Sequence, residues 1–170
     1  MDKPNPEQIK ERLAEQYDKF AAKSHELFEA SRDKSQEALN VAIEKTREQM
    51  TALGELSAEQ AKLFQDYMKR DLEQTADEMK RLGEQAKERL RPSRVGAGAL
   101  SSLAALLQLG GNALWQMSKK TDQALIYNAG EITSAGTLTC TNCGHQIHFR
   151  STGNIPPCAK CQKTTFRKSY

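Results

Sequence analysis

The chain has 170 residues, of which 38% are hydrophobic and 28% charged, with one Trp and a formal net charge of +3. This composition is too polar for a compact globule of this length and too patterned for a disordered chain. Long amphipathic helices fit both observations, because each leaves much of its circumference in water. We therefore predict a mostly α-helical protein.

Charge is distributed unevenly along the chain. Residues 1–94 carry 18 Lys and Arg against 20 Asp and Glu, whereas residues 95–170 carry 7 against 2, and no acidic residue follows Glu131. The C-terminal part is therefore basic, which suits an acidic partner. The first six residues are polar and interrupted by proline, unlike a secretory signal, so a cytoplasmic location is expected.

The first helix is predicted to begin at Pro6, with Asn5 as its N-cap. Its apolar residues recur at three- and four-residue steps and form one stripe. The stripe weakens over Ser31–Glu37 and resumes on a shifted line that includes Leu39 and Met50. Two interpretations stay open there, a stutter in one long helix or a short break.

A second helix is predicted from Ser57 to the Arg91-Pro92 pair, which ends it. Gly54 is expected to terminate the first helix, and Ser57–Gln60 has the pattern of a capping box. The short turn between the two helices makes them antiparallel neighbours, a long coiled-coil-like helical hairpin whose stripes bury each other. The alternative is that the stripes lie on a lipid or polymer surface.

Val95–Ser118 contains no charged residue, so it has to be considered as a membrane span. Four glycines, two adjacent serines and several amide side chains dilute its hydrophobicity, which argues against membrane insertion. We expect instead a third helix that docks on the hairpin or self-associates. Residues 1–126 are therefore assigned to a helical domain, and residues 127–170 to a second domain.

Four cysteines carry the most specific motif. The pair Cys140 and Cys143 is followed, after 14 residues, by the pair Cys158 and Cys161. Two residues between cysteines let both thiolates of a pair reach one tetrahedral ion, so the pattern predicts one Zn²⁺ ion. A rubredoxin-like iron site and disulfides are the alternatives. Four protein ligands leave no open position, so the zinc is expected to be structural.

The segment around the cysteines is predicted to form a small β ribbon. Ile147 and Phe149 alternate with polar residues, Leu138 begins the partner strand, and Thr164–Arg167 gives a third strand with Phe166 pointing inward. So small an apolar core cannot fold alone, and the metal is expected to supply the difference.

Four positions of this segment are expected to need a tight turn of the backbone. Gly130 and Gly136 are predicted to have positive φ. Gly144 follows the first cysteine pair, where a zinc knuckle turns, and Gln162 occupies the equivalent place after the second pair. Glutamine fits such a turn less well than glycine does.

The exposed face of the ribbon is the predicted partner surface. We assign to it His148 and Arg150 on one strand and Arg167 and Lys168 on another. Arginines on a small sheet can contact the phosphates of nucleic acid. The nearby phenylalanines are needed inside the ribbon, so a base-stacking platform is not expected.

Three motifs are shared with a known family: Tyr127-x-x-Gly130-Glu131-Ile132, Gly136-x-Leu138-x-Cys140-x-x-Cys143, and Cys158-x-x-Cys161, with an upstream run from Leu56 through Lys69-Arg70-Asp71-Leu72-Glu73. With these motifs the chain resembles the bacterial zinc ribbon-containing proteins of unknown function, from about residue 30 to residue 170. The resemblance implies a cytoplasmic helical protein with a C-terminal Cys₄ zinc ribbon and no assigned activity. Gln162 departs from the glycine often found in that family.

Together these observations favour a non-enzymatic protein whose helical arm presents a basic zinc ribbon to a macromolecule, either nucleic acid or a nucleic-acid machine. The alternative is a phasin-like or membrane-peripheral helical protein that adsorbs to a surface. No acid–base or nucleophile–base pair stands out, so we assign no catalytic residue and no small-molecule substrate. Association of two copies through the helices stays open.

Overall fold

Four helices and six short strands make up the part of the chain that the computed structural model describes, residues 5–82, 98–115 and 125–169. The helices are α1 (Pro6–Ala30), α2 (Gln36–Ala52), α3 (Ala58–Leu82) and α4 (Ala99–Trp115). The strands are β1 (Ile126–Asn128), β2 (Ile132–Thr133), β3 (Gly136–Cys140), β4 (Gln146–Phe149), β5 (Gly153–Asn154) and β6 (Thr165–Ser169). The prediction of a mostly α protein with a small C-terminal β ribbon is confirmed.

The first arm of the predicted hairpin is divided into two helices. The Ser31–Glu37 region contains a break, because Ser31 adopts an extended conformation and the Ser35 side chain caps α2 by accepting a hydrogen bond from the Ala38 amide at 3.2 Å. Helix α2 then folds back along α1, and the Ser24 and Thr46 hydroxyls meet at 3.1 Å. Of the two open interpretations, the break is the one that the structure shows.

The turn between α2 and α3 follows the sequence prediction. Gly54 has a φ of 70°, and the Ser57 side chain and the Gln60 side chain each accept a hydrogen bond from the other's backbone amide, at 3.1 and 3.0 Å. Helices α2 and α3 are antiparallel neighbours, and the Gln65 amide donates to Glu44 at 2.7 Å. The helix end predicted at Arg91-Pro92 lies outside the described residues.

The apolar stripes of the helices face one another in a single core. Phe64 lies at its centre, with ring centroids 5.5 Å from Tyr17 and 6.2 Å from Phe20. Helix α4 packs on α1 and α3, so the docked third helix is the arrangement found within the chain. None of the described helices has the length and apolar character of a membrane span. The largest fully buried helical side chains are Tyr17, Phe20, Phe28, Leu39, Ile43, Met68, Leu72, Leu103 and Leu106.

A carboxylate from α1 caps the start of α4. Asp18 accepts a hydrogen bond from the Ala99 amide at 2.7 Å and another from the Thr152 hydroxyl of the ribbon. A side chain at Gly98 would place its Cβ 3.3 Å from the Asp18 oxygens, and Gly98 has a φ of 112°. Glycine is therefore required there, and Asp18 joins α1, α4 and the ribbon.

The ribbon is a four-stranded antiparallel sheet in the order β1-β6-β3-β4, with a separate β2-β5 pair. In the sheet, Leu138 pairs with Ile147 on one side and with Lys168 on the other, whereas Thr139 pairs with Gln146 and Arg167. Since side chains alternate along a strand, the Leu138 row points inward and the Thr139 row points outward. The β2-β5 pair lies against the helices, where Ile132 joins the helical core.

Candidate metal centre and its attachment to the helices

The two cysteine pairs sit on two turns with the same backbone construction. The Gly144 amide donates to the Cys140 carbonyl at 3.0 Å, and the Gln162 amide donates to the Cys158 carbonyl at 2.8 Å. Gly144 and Gln162 have φ angles of 70° and 59°, so both lie in the left-handed region. The predicted equivalence of these two positions is confirmed, as is the positive φ of Gly130 and Gly136.

The four predicted ligands come together at the end of the ribbon. All four Sγ atoms lie within 4.8 Å of one another, and the pairs Cys140–Cys161 and Cys143–Cys158 are 3.6 Å apart. Zinc bound tetrahedrally at about 2.3 Å from each sulfur requires sulfur–sulfur distances of about 3.8 Å. The donor set and its spacing therefore fit a four-coordinate zinc ion with little rearrangement.

Two backbone amides stabilise the thiolate form of cysteines in this cluster. The Lys163 amide donates to the Cys161 sulfur and lowers the pKa of that thiol to about 6, with burial opposing. The His145 amide likewise lowers the pKa of Cys143, but burial and the neighbouring thiols outweigh it and raise the pKa to about 12. Four adjacent thiols thus resist ionising together, and a divalent cation removes that resistance by binding all four as thiolates.

The apolar core of the ribbon is small. Its buried cluster consists of Tyr127, Leu138, Ile155 and Phe166 together with two of the cysteines, Cys140 and Cys158. A core of this size does not support independent folding, so metal binding supplies much of the folding free energy of such a module.

A fully buried carboxylate of α3 forms the centre of the contact between helices and ribbon. One oxygen of Asp71 accepts hydrogen bonds from the Ser134 amide at 2.9 Å and the Tyr17 hydroxyl at 3.3 Å, and it lies 3.8 Å from the Lys168 ammonium. Burial alone would raise the pKa of Asp71, but Lys168 and Arg70 hold it below its usual value. Asp71 is therefore a charged anchor for the ribbon.

Lys168 is buried, which corrects its prediction as a partner-binding residue. Its side chain is 0% exposed, and its ammonium donates to the Thr133 hydroxyl at 2.9 Å and to the carbonyl and hydroxyl oxygens of Ser134 at 2.9 and 2.6 Å. Burial lowers the pKa of Lys168 to about 8, with Asp71 opposing. The period of two in β6 places Lys168 on the same inward face as Phe166, and this sequence signal was missed.

Arg70 and Gln74 complete the contact from the same helix. The Arg70 guanidinium stacks on Tyr127, 3.8 Å from the ring centroid, donates to the Ile132 carbonyl at 3.0 Å and pairs with Glu131. The Gln74 side chain donates to the Lys168 carbonyl at 2.8 Å. Polar side chains of α3 thus hold both the segment at Glu131 and Ile132 and the last strand of the ribbon, β6.

The remaining predicted partner residues are exposed. His148, Arg150 and Arg167 all lie at the surface, and the His148 Nδ1 is 3.0 Å from the Thr137 hydroxyl. Within the part of the chain that the structure describes, the side chains of Arg150 and Arg167 make no hydrogen bond and no ion pair. Two arginines of the ribbon are therefore available to a partner, whereas the buried Lys168 is not.

Comparison with known proteins gives one match. The family model described as the zinc-ribbon containing domain matches residues 26–169, which is most of the chain. No curated protein and no solved structure shows significant similarity to this chain. The matched region includes the four cysteines and the helices α2, α3 and α4. The chain therefore belongs to the zinc-ribbon containing domain family.

Proposed function

We propose that this member of the zinc-ribbon containing domain family is a non-enzymatic interaction protein that works in the cytoplasm. In this proposal the helices hold the zinc ribbon and present His148, Arg150 and Arg167 to nucleic acid or to a protein machine that acts on nucleic acid. The observation that carries the proposal is the pair of exposed, unpaired arginines on a ribbon that is anchored to the helices.

Zinc has a structural role in this proposal. Cys140, Cys143, Cys158 and Cys161 would hold it, and a bound ion would fix the two turns in place of an apolar core. All four coordination positions would be occupied by protein sulfur, so the site offers no position for a reacting water or substrate. This argues for a binding protein rather than an enzyme.

The anchor gives the exposed arginines a defined direction. The contact between helices and ribbon depends on hydrogen bonds and ion pairs of Asp71, Lys168 and Arg70, and such bonds need specific geometry. The polar contact therefore supports a function in which the ribbon surface faces a partner in one orientation.

Surface adsorption like that of a phasin is less well supported. That alternative needs apolar helix stripes at the surface, whereas the described helices bury theirs in one shared core. Among the described residues, the large hydrophobic side chains that stay exposed are Val41, Leu53 and Leu63. Isolated residues of this kind are normal on soluble proteins.

Capture experiments with charge-matched variants test the proposal. The tagged full chain is used to capture partners from bacterial lysate, with and without nuclease, and is compared with Arg150→Ala/Arg167→Ala and with the control Lys10→Ala/Arg32→Ala. The control removes two exposed cations from the helical region, Lys10 in α1 and Arg32 in the break between α1 and α2. We expect the ribbon variant to lose a captured partner that the control keeps. Identical partner sets for both variants would contradict the proposal.

A further inference from the structure

The outward side of the four-stranded sheet has an unusual composition. We call it the outer face, and it consists of Asn128, Thr137, Thr139, Gln146, His148, Thr165, Arg167 and Ser169, with Ile126 at its edge. Ile126 is its single apolar side chain, and the described strands place no carboxylate and no Phe, Tyr or Trp ring on it, so that the His148 imidazole is its one ring. Hydroxyl, amide and cationic groups thus make up nearly the whole surface.

These residue types favour nucleic acid over an acidic protein. Contacts to phosphate and sugar are made chiefly by arginine and lysine with serine, threonine, asparagine and glutamine, and interfaces with nucleic acid are more polar than those between proteins. Protein–protein interfaces instead concentrate tyrosine, tryptophan and other apolar anchors at their centre. The outer face has the residue types of an interface with nucleic acid and lacks the apolar anchors of an interface between proteins.

The distribution of charge identifies the cations that are free to bind an anion. Lys168 is paired with Asp71 inside the molecule, whereas Lys160 and Lys163 are exposed beside the second cysteine turn. Within the described residues, the side chains of Arg150 and Arg167 make no hydrogen bond or ion pair; Arg167 lies in β6 and Arg150 directly follows β4. Of these cations, the two arginines are therefore the ones at the outer face.

Two shallow depressions meet at Arg167. One, of about 230 Å³, is lined by Thr139, Arg167 and Ser169 with Gln74 and Asp77 of α3. The other, of about 500 Å³, is lined by Ile126, Thr139, Cys140, Thr141, Thr165 and Arg167. A phosphate beside Arg167 would therefore lie among the side chains of Thr139, Thr141 and Thr165, with Asp77 and Cys140 also in the linings.

We infer that the outer face binds the phosphate backbone of nucleic acid, with Arg167 as the central contact and Arg150 and His148 at its flank. This inference rests on the proposed function and specifies its partner. The outer face has no Phe, Tyr or Trp ring, and His148 and Arg167 alone give little surface for base stacking, so we expect binding that is independent of sequence and does not prefer single strands. Affinity then depends strongly on salt.

Binding of a short labelled DNA duplex of mixed sequence to the zinc-loaded full chain, followed by fluorescence anisotropy over a range of salt, tests the inference. Each lost phosphate contact lowers the salt slope by about 1 and, near 0.1 M salt, the affinity by about fivefold to tenfold. We expect both effects from Arg167→Ala and from Arg150→Ala. Lys10→Ala should match the unmodified protein.

Four outcomes would overturn the inference. They are equal binding by Arg167→Ala and Lys10→Ala, a strong preference for the single strand, displacement of the duplex by polyglutamate at equal charge, and no duplex binding at low salt. If the ribbon-dependent capture from lysate persists while the duplex does not bind, the proposed function stands with a protein partner. Equal zinc content in all variants excludes misfolding as the cause.

Discussion

The helical bundle and the zinc ribbon are stabilised in different ways. The bundle has a core cluster of 20 buried apolar residues from the four helices, the turn before α3 and strand β2. The ribbon cluster has six, two of which are metal ligands. Burial of apolar surface is sufficient for the first region, whereas the second needs metal. One chain thus combines a self-sufficient scaffold with a module whose folding depends on an ion.

Polar side chains join the two regions. Asp71, Arg70 and Gln74 of α3 contact the ribbon, and Asp18 of α1 accepts a hydrogen bond from Thr152. Contacts between the domains of one chain are commonly more polar than a domain core. The comparison therefore predicts that the bundle outlasts the ribbon when the metal is lost.

Removal of a buried ligand should have the largest effect. Cys158→Ser takes away one of four thiolates, and structural zinc contributes on the order of 10 kcal/mol to the folding of such modules. We expect the amides of β3, β4 and β6 to lose hydrogen-exchange protection while those of α1 and α2 keep most of theirs. Chelation of the unmodified protein should act in the same way, and zinc addition should reverse it. Parallel loss of helix protection would contradict the comparison.

A core substitution in the bundle should destabilise the helices and leave the metal site nearly unchanged. Phe64 is 2% exposed and lies against Tyr17 and Phe20, so Phe64→Ala should lower the free energy of unfolding by about 4 kcal/mol. Zinc affinity, measured against a competing chelator, should change little. The neighbouring Leu63→Ala is the control, because Leu63 is 48% exposed and its loss should cost about 0.5 kcal/mol or less.

Loss of the anchor charge should affect both regions at once. Asp71→Asn leaves the Lys168 ammonium buried without its carboxylate, and breaking one side of a buried pair costs about 3 kcal/mol. We expect lower stability by denaturant unfolding and faster hydrogen exchange in β6. The control Asp66→Asn removes an exposed partner of Lys62 on the same helix, worth about 0.5 kcal/mol or less. If Asp71→Asn and Asp66→Asn have the same stability and the same hydrogen exchange in β6, the Asp71 contact does not couple the helices to the ribbon.

Local patterns were enough to predict the metal ligands, the helix caps and the turns. Asn5, Ser57 and Gly144 act within a few residues of themselves, so their roles can be read from neighbouring sequence. The break at Ser31–Glu37 was left open, because a weakened stripe fits a stutter equally well.

The anchor between helices and ribbon was not predicted, because its partners are far apart in the chain. Asp71 lies on the apolar stripe of α3, three residues after Met68, and Lys168 lies on the inward face of β6, two residues after Phe166. Each position is a charge where an apolar residue is expected, which indicates a buried partner. Spacing alone cannot show that the two charges are partners of each other.

The smallest predicted effect concerns the two equivalent turns of the metal site, each of which serves as the control for the other. Gln162 and Gly144 share a left-handed conformation, which costs a residue with a side chain about 1 kcal/mol relative to glycine. Gln162→Gly should therefore tighten zinc binding about fivefold, and Gly144→Ala should weaken it by a similar factor. A Cβ at Gly144 would meet no atom within 4 Å, so its effect reports backbone conformation alone. Competition with a chelator measures both changes. Equal zinc affinity in all three proteins would show that turn strain is not linked to the metal, and the ribbon would then owe its stability to the anchor more than to its turns.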